Sequence, residues 1–182
     1  MRGGMQTPEI TVRGRTRRNI VLIGMPGCGK STAGVLIAKE LSFGFLDTDV
    51  LIQSREGRRL AAIIADVGVD EFLALEQRYL LATHMSGFVI ATGGSAVYCG
   101  PAMEHLRDDG VVVFLDLPLE ELSARLGDLE QRGVVRRPGQ TLADLMAERL
   151  PLYRKYADVT VACSGMGHEE VVRAVLAAVT SL

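Results

Sequence analysis

Apolar residues along this chain fall into short unbroken runs separated by longer stretches with three- and four-residue spacing. The runs cover residues 20–24, 43–47, 88–92, 111–116 and 158–163. They are continuous rather than alternating, which predicts strands covered by helices on both faces. Helical spacing is clearest over residues 30–41, 71–85, 141–156 and 169–179, and in the second of these Phe72, Leu75, Tyr79 and Ala82 share one face. Strands alternating with helices indicate βαβ units, hence an α/β fold with a five-stranded parallel sheet between helical layers. Two stretches interrupt the alternation. Residues 50–85 place several helical pieces between the second and third strands, and residues 127–139 form a Gly- and Arg-rich loop. Insertions near the carboxyl ends of parallel strands tend to build substrate sites and lids. No internal repeat is present.

A length of 182 residues, 48% of them hydrophobic and none of them Trp, fits one domain. Twenty Lys and Arg against 22 Asp and Glu leave a net charge of −2, which argues against nucleic acid as a partner. No apolar run approaches the ~20 residues that span a membrane. The charge is uneven. Residues 1–18 carry five arginines (Arg2, Arg13, Arg15, Arg17, Arg18) against Glu9, a net +4 that leaves −6 for residues 19–182. With Gly3, Gly4 and Gly14 and no apolar stretch after the basic residues, the segment reads as a disordered extension rather than a signal peptide. Three scattered cysteines, Cys28, Cys99 and Cys163, suggest neither a disulfide scaffold nor a metal cluster, and place the chain in the cytoplasm. The expected assembly is a monomer or weak homo-oligomer.

The strongest chemical signal is Gly24-Met-Pro-Gly-Cys-Gly-Lys30-Ser31-Thr32, a complete G-x-x-x-x-G-K-[ST] loop between an apolar strand and a helix. Backbone N–H groups and the helix dipole there converge on one anion site. Gly27, Cys28, Gly29, Lys30, Ser31 and Thr32 are the candidate nucleotide contacts, Lys30 reaching the terminal phosphates and the Ser31 hydroxyl ligating Mg²⁺. The second strand ends in Asp47-Thr-Asp49. Phosphoryl transfer needs one carboxylate to support the metal and another to orient or deprotonate the attacking hydroxyl, and this pair can supply both; Asp49 as a helix cap is the plainer reading. The third strand ends in Thr92-Gly93-Gly94-Ser95, where consecutive glycines allow a ligand to approach the backbone.

With these motifs in order, residues 19–182 resemble shikimate kinase, a P-loop small-molecule kinase of the nucleoside monophosphate kinase fold. GMPGCGKST, FLDTD, GVDEFLALE, ATGG, VVVFLDLPLEELSARL, RRP and ERLPLYRKYAD carry the likeness. The resemblance implies ATP-dependent phosphorylation of a hydroxyl on a small carboxylate, shikimate by default, with a helical insertion binding substrate and a lid closing over it. It implies Lys30, Asp49 and Arg137 as catalytic groups and Ser31 and Asp47 for Mg²⁺. Arg125 would pack against adenine and the lid's Arg137 would close over the phosphates. Asp49, Glu76, Gly93, Gly94, Ser95 and Arg149 would face the acceptor, Arg149 gripping its carboxylate. From the residues alone, Arg125 and Arg149 lie on helices, where arginine commonly belongs to a solvated face.

Two positions depart from the family. Its substrate helix reads G-E-x-x-F-R-x-x-E, and the arginine is Leu73 here; its third loop glycine is Ser95. A charge-assisted bond to a carboxylate is worth ~1.5–3 kcal/mol, so shikimate binding would weaken roughly ten- to a hundredfold unless another cation, Arg58 or Arg59, substitutes. Glu76 also loses its partner, which suggests an amino-acid alcohol such as homoserine as an alternative acceptor. A non-catalytic nucleotide-binding regulator and a nucleoside monophosphate kinase are further readings. The hydrophobic run ending in Asp116 is not assigned to the metal.

Overall fold

The computed structural model describes residues 10–12, 15–126 and 133–182. Chain order is β1 (Ile10–Val12), β2 (Arg15–Arg17), β3 (Asn19–Ile23), α1 (Lys30–Leu41), β4 (Gly44–Asp47), α2 (Thr48–Glu56), α3 (Leu60–Leu81), β5 (Phe88–Ala91), α4 (Gly100–Asp109), β6 (Gly110–Asp116), α5 (Leu119–Leu126), α6 (Leu142–Tyr156), β7 (Val159–Ala162) and α7 (His168–Thr180). The last five strands form one parallel sheet in the order β4-β5-β3-β6-β7, flanked by helices. The five expected strands are all present, their ends shifted by at most one residue. Coverage on both faces holds for the inner strands, where every residue of the central β3 is buried, as are all but the last of β6; the edge strands β4 and β7 are only partly buried. Among the described residues no helix is long and apolar enough to cross a membrane.

Register fixes where chemistry can occur. Asp47 lies beside Ala91, and Ala91 beside Leu22. The loops that follow β4, β5 and β3 therefore leave the sheet together at its carboxyl edge, bringing Asp49, Gly93 and the phosphate loop to one place.

Two expectations need correction. The helix expected over 71–85 ends at Leu81, and it begins at Leu60, with a break at Gly68 (φ 82°, ψ 171°) that redirects its second half. The φ lies in the left-handed region that glycine tolerates best. The buried residues of that half are Phe72, Glu76 and Leu80, while Ala82 is exposed. A carboxylate thus occupies the inner face that the apolar pattern had assigned elsewhere. The extension expected over residues 1–18 is not wholly outside the fold. β1 and β2 pair antiparallel, Arg17 is buried with its guanidinium on the carbonyls of Arg107 and Asp108, and Arg18 bonds Asp109 at 2.9 Å. These arginines hold the C-terminal end of α4. Residues 1–9 and 13–14 lie outside the described residues.

Candidate active site

The phosphate loop links β3 to α1. Gly29 precedes α1 with φ 99° and no side chain caps the helix, so its first N–H groups remain available to an anion. Lys30 is buried and its Nζ donates to the carbonyls of Gly24 (2.7 Å) and Met25 (2.9 Å). The ammonium is therefore held at the loop, where a phosphate oxygen would compete with those carbonyls for it.

At the end of β4, Asp47 divides its oxygens between two tasks. Oδ1 accepts from the N–H groups of Asp49 (3.0 Å) and Val50 (3.1 Å), capping α2, while Oδ2 accepts from Ser31 Oγ at 2.6 Å. Asp47, not Asp49, is thus the helix cap. A hydroxyl and a carboxylate oxygen meeting beside the phosphate loop suit a hard divalent cation. Mg²⁺ needs only one or two protein oxygens when phosphates and waters complete its shell, so the pair fits it. Among the described residues no cluster of three His, Cys, Asp or Glu offers a fuller metal cage.

A cavity of about 470 Å³ extends from the phosphate loop to Asp49, Ser95 and Arg149. Arg149 is 0% exposed, which removes it from any solvated face. Its Nε donates to the Tyr98 hydroxyl (3.1 Å), its Nη2 donates to the Val135 carbonyl, and its guanidinium lies 5.1 Å from the Tyr98 ring centroid; Nη1 has no partner. A buried guanidinium with one unpartnered nitrogen can receive a carboxylate oxygen. Glu76, 2% exposed, sits behind the wall, with Oε2 accepting from Ser95 Oγ at 2.7 Å and Oε1 unpartnered. Burial pushes the Asp49 carboxyl up to about 6, helped by the charge of Asp47 and opposed by Lys30 and Arg149. Burial likewise raises Glu76 to about 7 against the Ser95 hydrogen bond.

Gly93 separates these two carboxylates. A Cβ there would lie 2.3 Å from Glu76 Oε1 and 2.7 Å from Asp49 Oδ1, and the Gly93 N–H donates to Thr48 Oγ1 at 2.9 Å. Gly93→Ala is therefore expected to displace both acids, costing about 1–3 kcal/mol of stability by overpacking and on the order of 10²-fold in kcat/KM by misplacement. Thermal melting and steady-state kinetics check the two effects; an unaltered kcat/KM would show that neither carboxylate needs its present position.

Of the expected residues, Gly27, Gly29, Lys30, Ser31, Thr32, Asp49, Gly94, Ser95 and Arg149 line one cavity, with Asp47, Gly93 and Glu76 directly behind it. Three do not join them. Cys28 is buried, its Sγ 3.7 Å from Lys30 Nζ, and its N–H is spent on the Met25 carbonyl. Arg125 is exposed on α5, 3.6 Å from Glu121. Arg137 is exposed and lines a separate cavity of about 110 Å³ with Leu73, Tyr98 and Arg136. Residues 127–132 of the expected lid lie outside the described residues. Of the cations considered as replacements at Leu73, Arg58 instead bonds Asp66 (2.9 Å) and the Ala62 carbonyl, and Arg59 is exposed at the start of α3. Asp116, at the end of β6, takes no part. Sequence reasoning missed Tyr98 and Tyr153, which hold Arg149 and the Gly94 carbonyl (2.7 Å). The one available signal was Tyr153 four residues after Arg149, on the same face of α6.

Known proteins resemble this chain in sequence and fold. The family model for shikimate kinase matches residues 26–180. The shikimate kinase of Pseudomonas savastanoi pv. phaseolicola is 37% identical over 168 residues, spanning 91% of this chain and 98% of its own. That of Pseudomonas aeruginosa is 42% identical over 146 residues, 79% and 85% of the two chains. The solved structure of shikimate kinase from Acinetobacter baumannii in complex with shikimate superposes with a TM-score of 0.79 at 30% identity, covering 88% of this chain and 91% of that one. Motif order, sheet order and match over most of the length all point one way: this chain belongs to the shikimate kinase family.

Proposed function

We propose that the protein transfers the γ-phosphoryl group of ATP to a hydroxyl of a small hydroxylated carboxylate, with shikimate as the first acceptor to test. The observation that carries this reading is one cavity holding the phosphate loop at one end and, at the other, Asp49 beside a buried guanidinium with a free Nη1. Arg149 takes the acceptor carboxylate, which aims a hydroxyl at Asp49. Asp49 orients that hydroxyl and receives its proton, and Lys30 with the α1 N–H groups holds the transferring phosphoryl. Arg137 closes over the phosphates from the lid, and Arg125 packs at the adenine; both require movement toward the cavity, as lid arginines commonly do. Ser31 and Asp47 hold Mg²⁺, which when bound neutralises charge on the phosphates. A binding-only regulator has no use for an acceptor-side acid and guanidinium, so catalysis is the better reading. The three free cysteines suit the cytoplasm, and a monomer or weak homo-oligomer is the assembly we propose.

The test is ADP release with ATP, Mg²⁺ and shikimate. Acceptor-dependent turnover is expected, and chelation of divalent cations is expected to stop it until excess Mg²⁺ is restored. Absence of acceptor-stimulated release with every small hydroxylated carboxylate tried would overturn the reading. Turnover surviving chelation would remove Ser31 and Asp47 from metal binding.

A further inference from the structure

Ser95 and Glu76 form a pair that the phosphoryl-transfer assignment leaves without a task. Both are buried, at 3% and 2% exposure. Ser95 Oγ commits its proton to Glu76 Oε2 (2.7 Å), so on the cavity side the hydroxyl offers only lone pairs. Behind that acceptor stands a buried carboxylate whose other oxygen, Oε1, has no partner. This piece of wall is built to receive a donor, and it favours a cationic one.

The charge inventory points the same way. Among the described residues, the cations lining the large cavity are Lys30 and Arg149, and Lys30 belongs to the phosphate loop. Leu73 contributes none and packs beside the apolar cluster of Ile52, Ile63 and Phe72. Arg136 donates to the Gln140 carbonyl and lines the smaller cavity. The acceptor half of the site therefore sets two carboxyl groups, Asp49 and Glu76, against one guanidinium. A simple hydroxy acid satisfies Arg149 Nη1 and offers Glu76 no counter-charge, so burial holds that carboxyl partly in its neutral form, whereas a cation beside Ser95 would favour the ionised one. A zwitterion answers both: its carboxylate meets Arg149 Nη1, its ammonium meets Ser95 Oγ with the Glu76 charge behind, and its hydroxyl meets Asp49.

We infer that the site also phosphorylates a small α-amino acid bearing a hydroxyl. This rests on the kinase reading and adds an acceptor class to it. The acceptor oxygen forms a bond to the γ-phosphorus of ATP as the bond from that phosphorus to the β,γ-bridging oxygen breaks. ADP leaves with the electron pair, and the hydroxyl proton passes to the Asp49 carboxylate and then to water. Ser95 contacts the acceptor; Glu76 is a positioning residue acting through it.

L-Homoserine and 4-hydroxybutyrate are a matched pair, differing only in the ammonium group. With the full chain, ATP and Mg²⁺, ADP release is expected to give homoserine a kcat/KM advantage of at least about tenfold, the worth of one charge-assisted hydrogen bond. Glu76→Gln keeps the size and hydrogen-bonding capacity but removes the charge, and is expected to erase that advantage, whereas a merely structural role would slow both acceptors alike. Should Glu76→Gln fail to fold, Ser95→Ala reads the same difference. Equal kcat/KM for the pair, or an advantage untouched by the variant that folds, overturns the inference. Turnover of shikimate with none of homoserine overturns it while leaving the kinase reading intact; no acceptor-stimulated ADP release from any of the three overturns the kinase reading itself.

Discussion

Replacing Lys30 with alanine is expected to lower acceptor-dependent turnover by at least ~10²-fold, the scale of removing one preorganised group from a developing charge. Lys30 is buried at the first position of α1, with its Nζ within 2.9 Å of two loop carbonyls. Those carbonyls fix the ammonium beside the uncapped N–H groups of α1, so the charge is already in place when phosphate arrives and little reorganisation remains. No other cation lining the large cavity among the described residues stands at this end; Arg149 is committed to Tyr98 and Val135. The variant loses two hydrogen bonds within the loop, so its thermal midpoint must be read beside its rate. A folded Lys30→Ala protein with turnover within about tenfold of the parent would remove Lys30 from the phosphate site.

Legibility in the sequence tracked how local each feature is. The phosphate loop was readable because one short motif between a strand and a helix sets both the backbone path and the charge. The strands were readable because burial on both faces demands apolar runs, and in the buried β3 only Asn19, at its start, departs from this. Features that depend on distant partners were not. Arg149 looked like a surface residue until Tyr98 and Val135, far from it in sequence, closed around it. The inner face of α3 was misread because Glu76 interrupts its apolar stripe, and that carboxylate belongs inside only because Ser95 meets it from the loop after β5. The break at Gly68 and the pairing of β1 with β2 carry no periodic signal of their own. The two aspartates after β4 were readable as a pair but not as individuals: which one caps α2 depends on which carboxylate points back along the helix, and that is Asp47.

This division of labour leaves Asp49 free for chemistry, and Asp49→Asn is expected to lower kcat by ~10²–10⁴-fold, the range of general acid–base catalysis. Asparagine keeps the size of the side chain, and the bond from the residue 49 N–H to the Asp47 Oδ1 uses only the main chain of residue 49, so the α2 cap survives. Nucleotide affinity is expected to change far less than kcat. The pH profile supplies an independent check. Burial, seconded by Asp47, raises the Asp49 carboxyl to about 6 in the folded protein, so the acid form prevails below that value. Only the ionised form can take the acceptor's proton; the parent enzyme is therefore expected to lose kcat/KM as pH falls through about 6, approaching tenfold per unit. The residual activity of Asp49→Asn is expected to lack that limb. Glu76, raised to about 7 on the other side of Gly93, titrates in the same region, and Glu76→Gln separates the two: a limb that persists in Glu76→Gln and vanishes in Asp49→Asn belongs to Asp49. An unchanged kcat in Asp49→Asn, or a parent limb centred at the ordinary carboxylate value of about 4, would reduce Asp49 to a first-turn residue of α2 and leave the acceptor proton to pass directly to the phosphoryl oxygens.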